Sequence, residues 1–148
     1  MKKVIIMATV LALVFGGCVS GEPEIDPNLV TIEIISSSDK SVTFELKNNS
    51  RGGISFGEDY YIEFLEGKTW VPLDETNEDF FAMTAYGLKP GGIHNFSVNF
   101  EERYGALPNG TYRVAKDVTL LNEDGIPCGG QRTFAEFEIK SKKSRLYY

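Results

Sequence analysis

Residues 107–114 read LPNGTYRV, and this stretch is the most specific local signal in the chain. The Pro-Asn-Gly cluster that ends at Gly110 favours a turn, and the alternation that begins at Tyr112 favours a β-strand directly after it. From the pattern alone, Tyr112 is a strand residue whose ring packs in a core.

Outward from this stretch, apolar and polar residues alternate with a period of two, which is typical of half-buried strands. Val30, Ile32 and Ile34, for example, share one face of a predicted strand. The other predicted strands lie in SVTFELKN, DYYIEFLE, EGKTWVPL, HNFSVNF, GTYRVAKDVTLL and TFAEFEIK. No segment has a 3.6-residue period long enough for three helical turns, although FEERYGAL fits one turn. About seven to eight short strands separated by turn clusters predict an all-β, two-sheet sandwich.

The aromatic residues of these strands are expected to serve burial. We expect Tyr60, Trp70, Phe96 and Phe100 to be core aromatic residues, because large rings in short strands usually pack inside. An exposed aromatic strip that binds sugar or peptide is the alternative.

The order of motifs resembles that of a known family. The spacing of Leu107, Gly110 and Tyr112 resembles the tyrosine corner of Greek-key sandwiches. This resemblance implies that the Tyr112 hydroxyl bonds the backbone upstream, with Leu107 or Pro108 as the acceptor region, and an ordinary strand tyrosine with a buried ring is the alternative. The segments LKNNS, FGEDYYIEFLEGKTWVPL, AYGLKPGG, NFEERYGALPNGTYRVAK and AEFEIK follow the order of the bacterial immunoglobulin-like domain family, found in lipoproteins and surface proteins, mainly of Gram-positive bacteria. This resemblance covers about residues 29–140 and implies an immunoglobulin-like Greek-key β-sandwich outside the cytoplasm. Phe100 stands where the family pattern has a tryptophan. The resemblance assigns no enzymatic activity to particular residues.

The first 17 residues have the pattern of a secretory signal peptide. Lys2 and Lys3 form a positive segment, and Val4–Phe15 is a run of 12 residues that are apolar except for Thr9. A membrane-spanning helix needs about 20 such residues, whereas a signal peptide needs fewer.

The cysteine that follows this run predicts a lipid anchor. VFGGC resembles the lipobox of bacterial lipoproteins, in which the cysteine receives a diacylglycerol and becomes the first residue of the mature protein. Carried onto this chain, the resemblance makes Cys18 the lipidated residue and the outer face of the cell membrane its location. Phe15 departs from the leucine that is usual at its position. A soluble secreted protein is the alternative.

Composition places the remaining boundaries. Residues 18–28 contain two prolines and three acidic residues, which favours an extended tether before a sandwich at residues 29–140. Residues 141–148 form a basic tail. Without residues 1–17, the chain has 13 basic and 21 acidic residues, so its net charge changes from −6 to −8. A surface of that sign repels phosphate backbones, which argues against a nucleic-acid partner.

Enzyme signatures are absent from the sequence. His94 is the chain's one histidine and is expected on the surface, and Cys128 has no predicted disulfide partner if Cys18 carries lipid. The acidic stretches DETNED and NEDG lack EF-hand spacing. We therefore expect no catalytic activity, no metal and no cofactor.

Two functional hypotheses from different classes remain. The first is a binding module, held at the membrane through the lipid on Cys18, whose partner is an unknown extracellular protein or wall polymer. Its candidate binding loops are Asn48–Glu58, Asp74–Asp79 and Asn122–Arg132. The second is a proteinase inhibitor that inserts the Asn122–Arg132 loop into a protease cleft.

Overall fold

The computed structural model describes residues 26–75 and 84–140, and these form nine strands and one helical turn. The elements are β1 (Val30–Ser37), β2 (Ser41–Asn48), β3 (Ile54–Phe56), β4 (Tyr61–Glu66), β5 (Thr69–Pro72), β6 (Tyr86–Leu88), β7 (Ile93–Asn99), α1 (Glu101–Tyr104), β8 (Gly110–Leu121) and β9 (Pro127–Ile139). The helix confirms the single turn predicted in FEERYGAL. The predicted signal peptide, Cys18 and the basic tail lie outside the described residues.

Two antiparallel sheets confirm the all-β sandwich. The smaller sheet has the order β1-β2-β7, and the larger one has the order β5-β4-β8-β3-β6, with β9 also paired to β8. Because β9 pairs with β8 along nearly its whole length, β4 and β3 occupy successive parts of the other edge of β8. The strand β8 is therefore the centre of the larger sheet.

The core lies between the sheets and follows the predicted alternation. In β2, Val42, Phe44 and Leu46 are buried, while the residues between them are more exposed. The ring of Phe44 stacks on that of Phe96 from β7, with centroids 4.9 Å apart. Each such side chain contributes about 1.5–3 kcal/mol on full burial, which stabilises the sandwich through apolar packing.

The strands β1 and β2 form an antiparallel hairpin. Its turn is closed by a backbone hydrogen bond from Ser38 N to Ser41 O (2.8 Å). A bulge between Ile34 and Ser36 shifts the register of β1, and it leaves the side chain of Ile35 57% exposed.

The segment Asn122–Arg132 differs from the predicted loop. Its second half belongs to β9, which begins at Pro127, so β8 and β9 form one long hairpin. Asn122 closes the turn, because its N–H donates to the Ile126 carbonyl oxygen at 2.9 Å and its Oδ1 accepts from the N–H of Ile126 at 2.9 Å. The two glycines after Cys128 made the segment read as a loop, but pairing with β8 holds it extended.

Candidate interaction surface

The stretch around Tyr112 forms the contact that a tyrosine corner requires. Tyr112 is 1% exposed, and its hydroxyl donates a hydrogen bond to the Pro108 carbonyl oxygen at 2.8 Å. Burial raises the pKa of this hydroxyl above its ordinary value. A Cβ at Gly110 would lie 2.7 Å from a ring carbon of Phe64, so close packing requires glycine there. Leu107 is also buried.

Three of the four expected core aromatics are buried, and the fourth is not. Tyr60, Phe96 and Phe100 belong to the core. Trp70 is only half-buried and lies outside that cluster. It pairs with Leu65 across β4 and β5, and alternation puts both on the outer face of the larger sheet.

That outer face brings together five side chains, here named the Arg–aromatic face: Tyr61, Trp70, Arg113, Arg132 and Phe134. Four neighbouring strands supply them, and the register sets their positions. Ala115 in β8 has Tyr61 on one side and Phe134 on the other. Ala115 is fully buried although it lies on the outer face, so the larger side chains around it form a layer over the sheet.

Arg113 lies at the centre of this layer. The carbon of its guanidinium is 4.6 Å from the centroid of the Trp70 ring and 3.9 Å from that of Phe134. Its Nε also forms an ion pair with Glu63 on β4. Cation–π contacts of this kind are worth about 0.5–1 kcal/mol at exposed sites, so three neighbours hold the guanidinium in place. The Phe134 ring remains 39% exposed.

Arg132, on the neighbouring strand β9, is also held by a carboxylate and an aromatic ring. Its Nε and Nη2 donate to the two carboxylate oxygens of Asp117, both at 2.6 Å. Its guanidinium carbon lies 5.0 Å from the centroid of the Tyr61 ring. The hydrogen bond from Arg132 is the main reason that the pKa of Asp117 is below its ordinary value.

Two other cations stabilise loops beside the core. Lys116 Nζ is fully buried and donates to the carbonyl oxygens of Gly57 (2.7 Å) and Asp59 (2.5 Å). Arg103 Nη1 donates to the Tyr60 carbonyl oxygen at 3.0 Å, and its guanidinium lies 5.3 Å from the Tyr60 ring centroid. Both cations fasten the segment between β3 and β4.

The remaining chemical candidates from the sequence are not brought together. His94 is half-buried instead of on the surface, with its ring centroid 4.6 Å from that of Phe96 and 5.1 Å from that of Tyr86. Cys128 is an exposed free cysteine. Across residues 26–75 and 84–140, no three His, Cys, Asp or Glu side chains are grouped to hold a metal ion.

Sequence reasoning did not single out four members of the Arg–aromatic face. Alternation alone puts Tyr61 on the side of β4 opposite Tyr60, and Arg113 on the side of β8 opposite Tyr112. The signal available in the sequence was therefore an aromatic residue and an arginine, Tyr61 and Arg113, each on the polar side of its strand. Their contact depends on the strand register, which the pattern does not supply.

A comparison with family models identifies the fold family. The model of the bacterial Ig-like domain matches residues 29–138. The chain belongs to the bacterial Ig-like domain family. The arrangement described above agrees with this, since β8 carries the tyrosine corner near its start, as strand F does in immunoglobulin-type sandwiches.

Solved structures with a similar course of the chain are remote in sequence. The archaellum periplasmic stator protein FlaG from Sulfolobus acidocaldarius is 15% identical, covers 73% of this chain and 97% of its own, and gives a TM-score of 0.39. The FlaF and FlaG stator complex of the same organism gives 15% identity, 93% and 100% coverage and a TM-score of 0.40. BslA, a bacterial hydrophobin, gives 13% identity, 76% and 95% coverage and a TM-score of 0.31.

No curated protein matches the chain in sequence. Within the described ranges, no helix has the length and apolar character needed to cross a membrane.

Proposed function

We propose that this bacterial Ig-like domain is an extracytoplasmic interaction module, held at the outer face of the cell membrane by lipid on Cys18 and without catalytic activity. Its binding surface is the Arg–aromatic face, and its partner is an extracellular protein. The sequence pattern around Cys18 supports the anchor. Membership of the bacterial Ig-like family supports an interaction role.

The observation that carries the proposal is the stacking of Arg113 between Trp70 and the exposed ring of Phe134. Arginine, tryptophan and tyrosine dominate the binding energy of protein interfaces. Here their side chains are already ordered by contacts with one another and by ion pairs to Glu63 and Asp117. A partner would therefore lose little side-chain entropy at this surface, which lowers the cost of association.

The test compares two variants of neighbouring residues in a crosslinked pull-down from intact cells. Trp70→Ala removes one ring of the stack, and we expect at least a tenfold loss of the captured protein. Val71→Ala is the matched control, because alternation directs Val71, which is 38% exposed, to the opposite side of β5. Its capture should equal that of the wild type. Thermal unfolding of both variants checks that each is folded.

Three results would contradict the proposal. Capture that survives Trp70→Ala unchanged would exclude the Arg–aromatic face as the binding surface. Capture of a wall polymer without protein would replace the class of partner. An empty eluate from wild-type cells would reject an extracellular protein partner.

The inhibitor hypothesis receives no support from the geometry of its loop. The segment proposed to enter a protease cleft is a five-residue turn, Asn122–Ile126, followed by paired strand. Ile126 is 58% exposed at this turn, but its N–H is bound to Asn122. A panel of secreted proteases assayed with the purified chain tests this alternative directly.

A further inference from the structure

The strand β7 forms one edge of the smaller sheet. On one side it pairs with β2 from Ile93 to Asn99 without a shift of register. Across residues 26–75 and 84–140, no strand pairs with its other side. An edge of seven residues without a bulge is long enough to accept a further strand.

The hydrogen-bonding pattern shows which backbone groups this edge presents. Phe100 N donates to Lys40 O at 2.9 Å, and Asn48 N donates to Gly92 O at 3.0 Å. Because hydrogen-bonded pairs recur at every second residue of an antiparallel ladder, the even-numbered residues of β7 bond with β2. The N–H and C=O groups of the four odd-numbered residues therefore point away from β2, and these residues are Ile93, Asn95, Ser97 and Asn99.

The side chains of β7 that face the core show the same opening. His94 and Val98 are only half-buried. Their partners on β2, Leu46 and Val42, are 0% and 1% exposed. The core is therefore covered in the middle of the smaller sheet but remains accessible along its β7 edge, where a further strand would bury apolar surface.

The other sheet edges of the described chain are short or covered. The strand β5 has four residues and ends at Pro72, and β6 has three residues. The strands β1 and β9 lie against each other, so neither has room for another strand. Short strands, proline and charged side chains are the usual protection against pairing with another chain. The strand β7 lacks this protection, since it contains no proline, lysine, arginine, aspartate or glutamate.

The sequence of β7 complements itself. In an antiparallel pair of two β7 strands centred on Phe96, every residue of the strand has a partner, and the open groups of the odd-numbered residues form about eight hydrogen bonds. His94 of one copy then faces Val98 of the other, and the two Phe96 rings meet at the axis. On the outer face, Asn95 faces Ser97. Apolar and neutral hydrogen-bonding side chains directly across an antiparallel pair stabilise it.

Pairs centred on the neighbouring residues use less of the strand. A pair centred on Asn95 reaches into the turn before β7, where the Gly91 N–H already donates to the Asn48 carbonyl oxygen at 2.8 Å. A pair centred on Ser97 reaches into α1, where the Glu101 N–H already donates to a side-chain oxygen. The pair centred on the middle residue of β7 uses the whole edge.

We propose that two copies of this chain associate edge to edge through β7, antiparallel and with Phe96 at the two-fold axis. This goes beyond the binding role proposed above, because the partner is a second copy and the contact lies on the smaller sheet. The two smaller sheets become one continuous sheet, and both Arg–aromatic faces then lie on the same side of the dimer. A contact of one strand pair is small, so the dimer is weak and depends on concentration.

The first test reads the register by disulfide formation. It uses the full chain with Cys18→Ser and Cys128→Ser, which removes both native cysteines. In a hydrogen-bonded antiparallel pair, opposite Cα atoms lie about 5.5 Å apart, a distance that a disulfide spans. Under mild oxidation, Asn95→Cys mixed with Ser97→Cys should give several times the dimer yield of either variant alone. Glu33→Cys, an exposed position on β1, gives the background yield.

The second test removes one outward N–H group. Sedimentation velocity of the parent chain should show a dimer whose fraction rises with concentration. Ser97→Pro takes away a donor that β2 does not use, and at the same concentrations it should leave a monomer. Ser97→Thr is the matched control, because it keeps the N–H and the hydroxyl, and it should behave as the parent chain. Circular dichroism checks that both variants are folded.

A pair of charge variants makes the test independent of proline. Asn95→Lys combined with Ser97→Lys sets like charges opposite each other across the two copies and should give a monomer. Asn95→Lys combined with Ser97→Glu sets opposite charges there and should dimerise at least as strongly as the parent chain. In both variants the change at Asn95 lies next to Glu45 of β2, so this contact within one copy is the same.

Several outcomes would overturn the proposal. One is a parent chain that stays monomeric at every concentration and gives no mixed disulfide above the Glu33→Cys background. Another is a dimer that Ser97→Pro and the two-lysine variant leave intact. A mixed yield no higher than that of Asn95→Cys or Ser97→Cys alone would reject the register centred on Phe96.

Discussion

The ammonium group of Lys116 lies in the core, where burial disfavours its charged form. Burial is the largest influence and lowers the pKa of Lys116 below its ordinary value of 10.5, although the nearby Asp59 carboxylate, 3.5 Å from Nζ, opposes this. The backbone carbonyl oxygens of Gly57 and Asp59 accept hydrogen bonds from this ammonium group. The cation therefore orders the segment before β4 at an electrostatic cost.

This cost predicts how stability depends on pH. With a lowered pKa in the folded state, Lys116 loses its proton on folding at alkaline pH below 10.5, so the unfolded chain binds more protons there. The free energy of unfolding of the wild type should then rise relative to that of Lys116→Met between neutral pH and about pH 10. Urea unfolding at a series of pH values measures the difference.

A lysine with the opposite shift provides the control. The hydrogen bond to Glu101 raises the pKa of Lys40 above 10.5, so its stabilisation is present below that pH and is lost as the pH rises through the folded-state value. The difference between the wild type and Lys40→Met should therefore fall at the alkaline end. A Lys116→Met difference that stays constant or falls with pH would contradict the prediction.

Single positions show how far the sequence specifies the candidate site. The spacing before Tyr112 indicated its role because the corner is local, with donor and acceptor four residues apart. Trp70 was assigned to the core, but TWVP has no clear alternation, and only the pairing with Leu65 places the ring outside. Arg113 and Phe134 meet across β8 and β9, so their contact depends on a register that no local pattern contains.

Among the elements, the hairpin of β8 and β9 departs most from its sequence pattern. Gly129 and Gly130 are poor strand formers, so NEDGIPCGG reads as one loop. Both nevertheless pair with β8, opposite Leu120 and Thr119. The long apolar pattern of β8 sets the length of the hairpin, and the two glycines are extended because they pair with it. The true turn is confined to Asn122–Ile126, with Gly125 in the left-handed region at φ 76°.

The hairpin of β8 and β9 contains one glycine in its turn and others in a strand, and we expect alanine to have a different effect at the two kinds of position. Gly125→Ala should destabilise the fold by about 1 kcal/mol, because alanine at positive φ is strained even though no atom lies within 4 Å of the new Cβ. Gly130→Ala is the control, since its Cβ would meet only the Val118 carbonyl oxygen at an ordinary 3.7 Å. Its stability should stay within about 0.5 kcal/mol. Urea unfolding measures both, and equal effects would refute the assignment of the turn.

For the whole molecule, the order of short motifs was enough to predict the architecture. The family pattern runs through residues 29–138, and the two-sheet sandwich follows from it. The alternation of β2 and β8 indicated which residues form the core. The Arg–aromatic face was not predictable in the same way, because four strands distant in the sequence supply it.

The proposed lipid anchor predicts the cell fraction in which the protein is found. Cys18→Ser removes the thiol that would carry the lipid, and we expect the chain to move from the membrane fraction to the culture medium. Cell fractionation and immunoblotting measure the change. Cys128→Ser is the control, because Cys128 is exposed and lies in β9, and its location should not change. Continued membrane association of Cys18→Ser would reject the lipid anchor.

Gln131 in β9 fastens that strand to the start of β1, because its Nε2 donates to the carbonyl oxygens of Pro27 and Val30, both at 2.9 Å. This link has a mechanical consequence. If the chain is tethered upstream of Asp26 while a partner pulls on the larger sheet, the load reaches the sandwich at the start of β1. There it acts along the strand, so the seven backbone pairs with β2 are sheared together and not opened one after another. The Gln131 amide passes part of the force directly from Pro27 and Val30 to β9. A load applied in this way would therefore meet the combined resistance of the β1–β2 pairing and of the Gln131 hydrogen bonds.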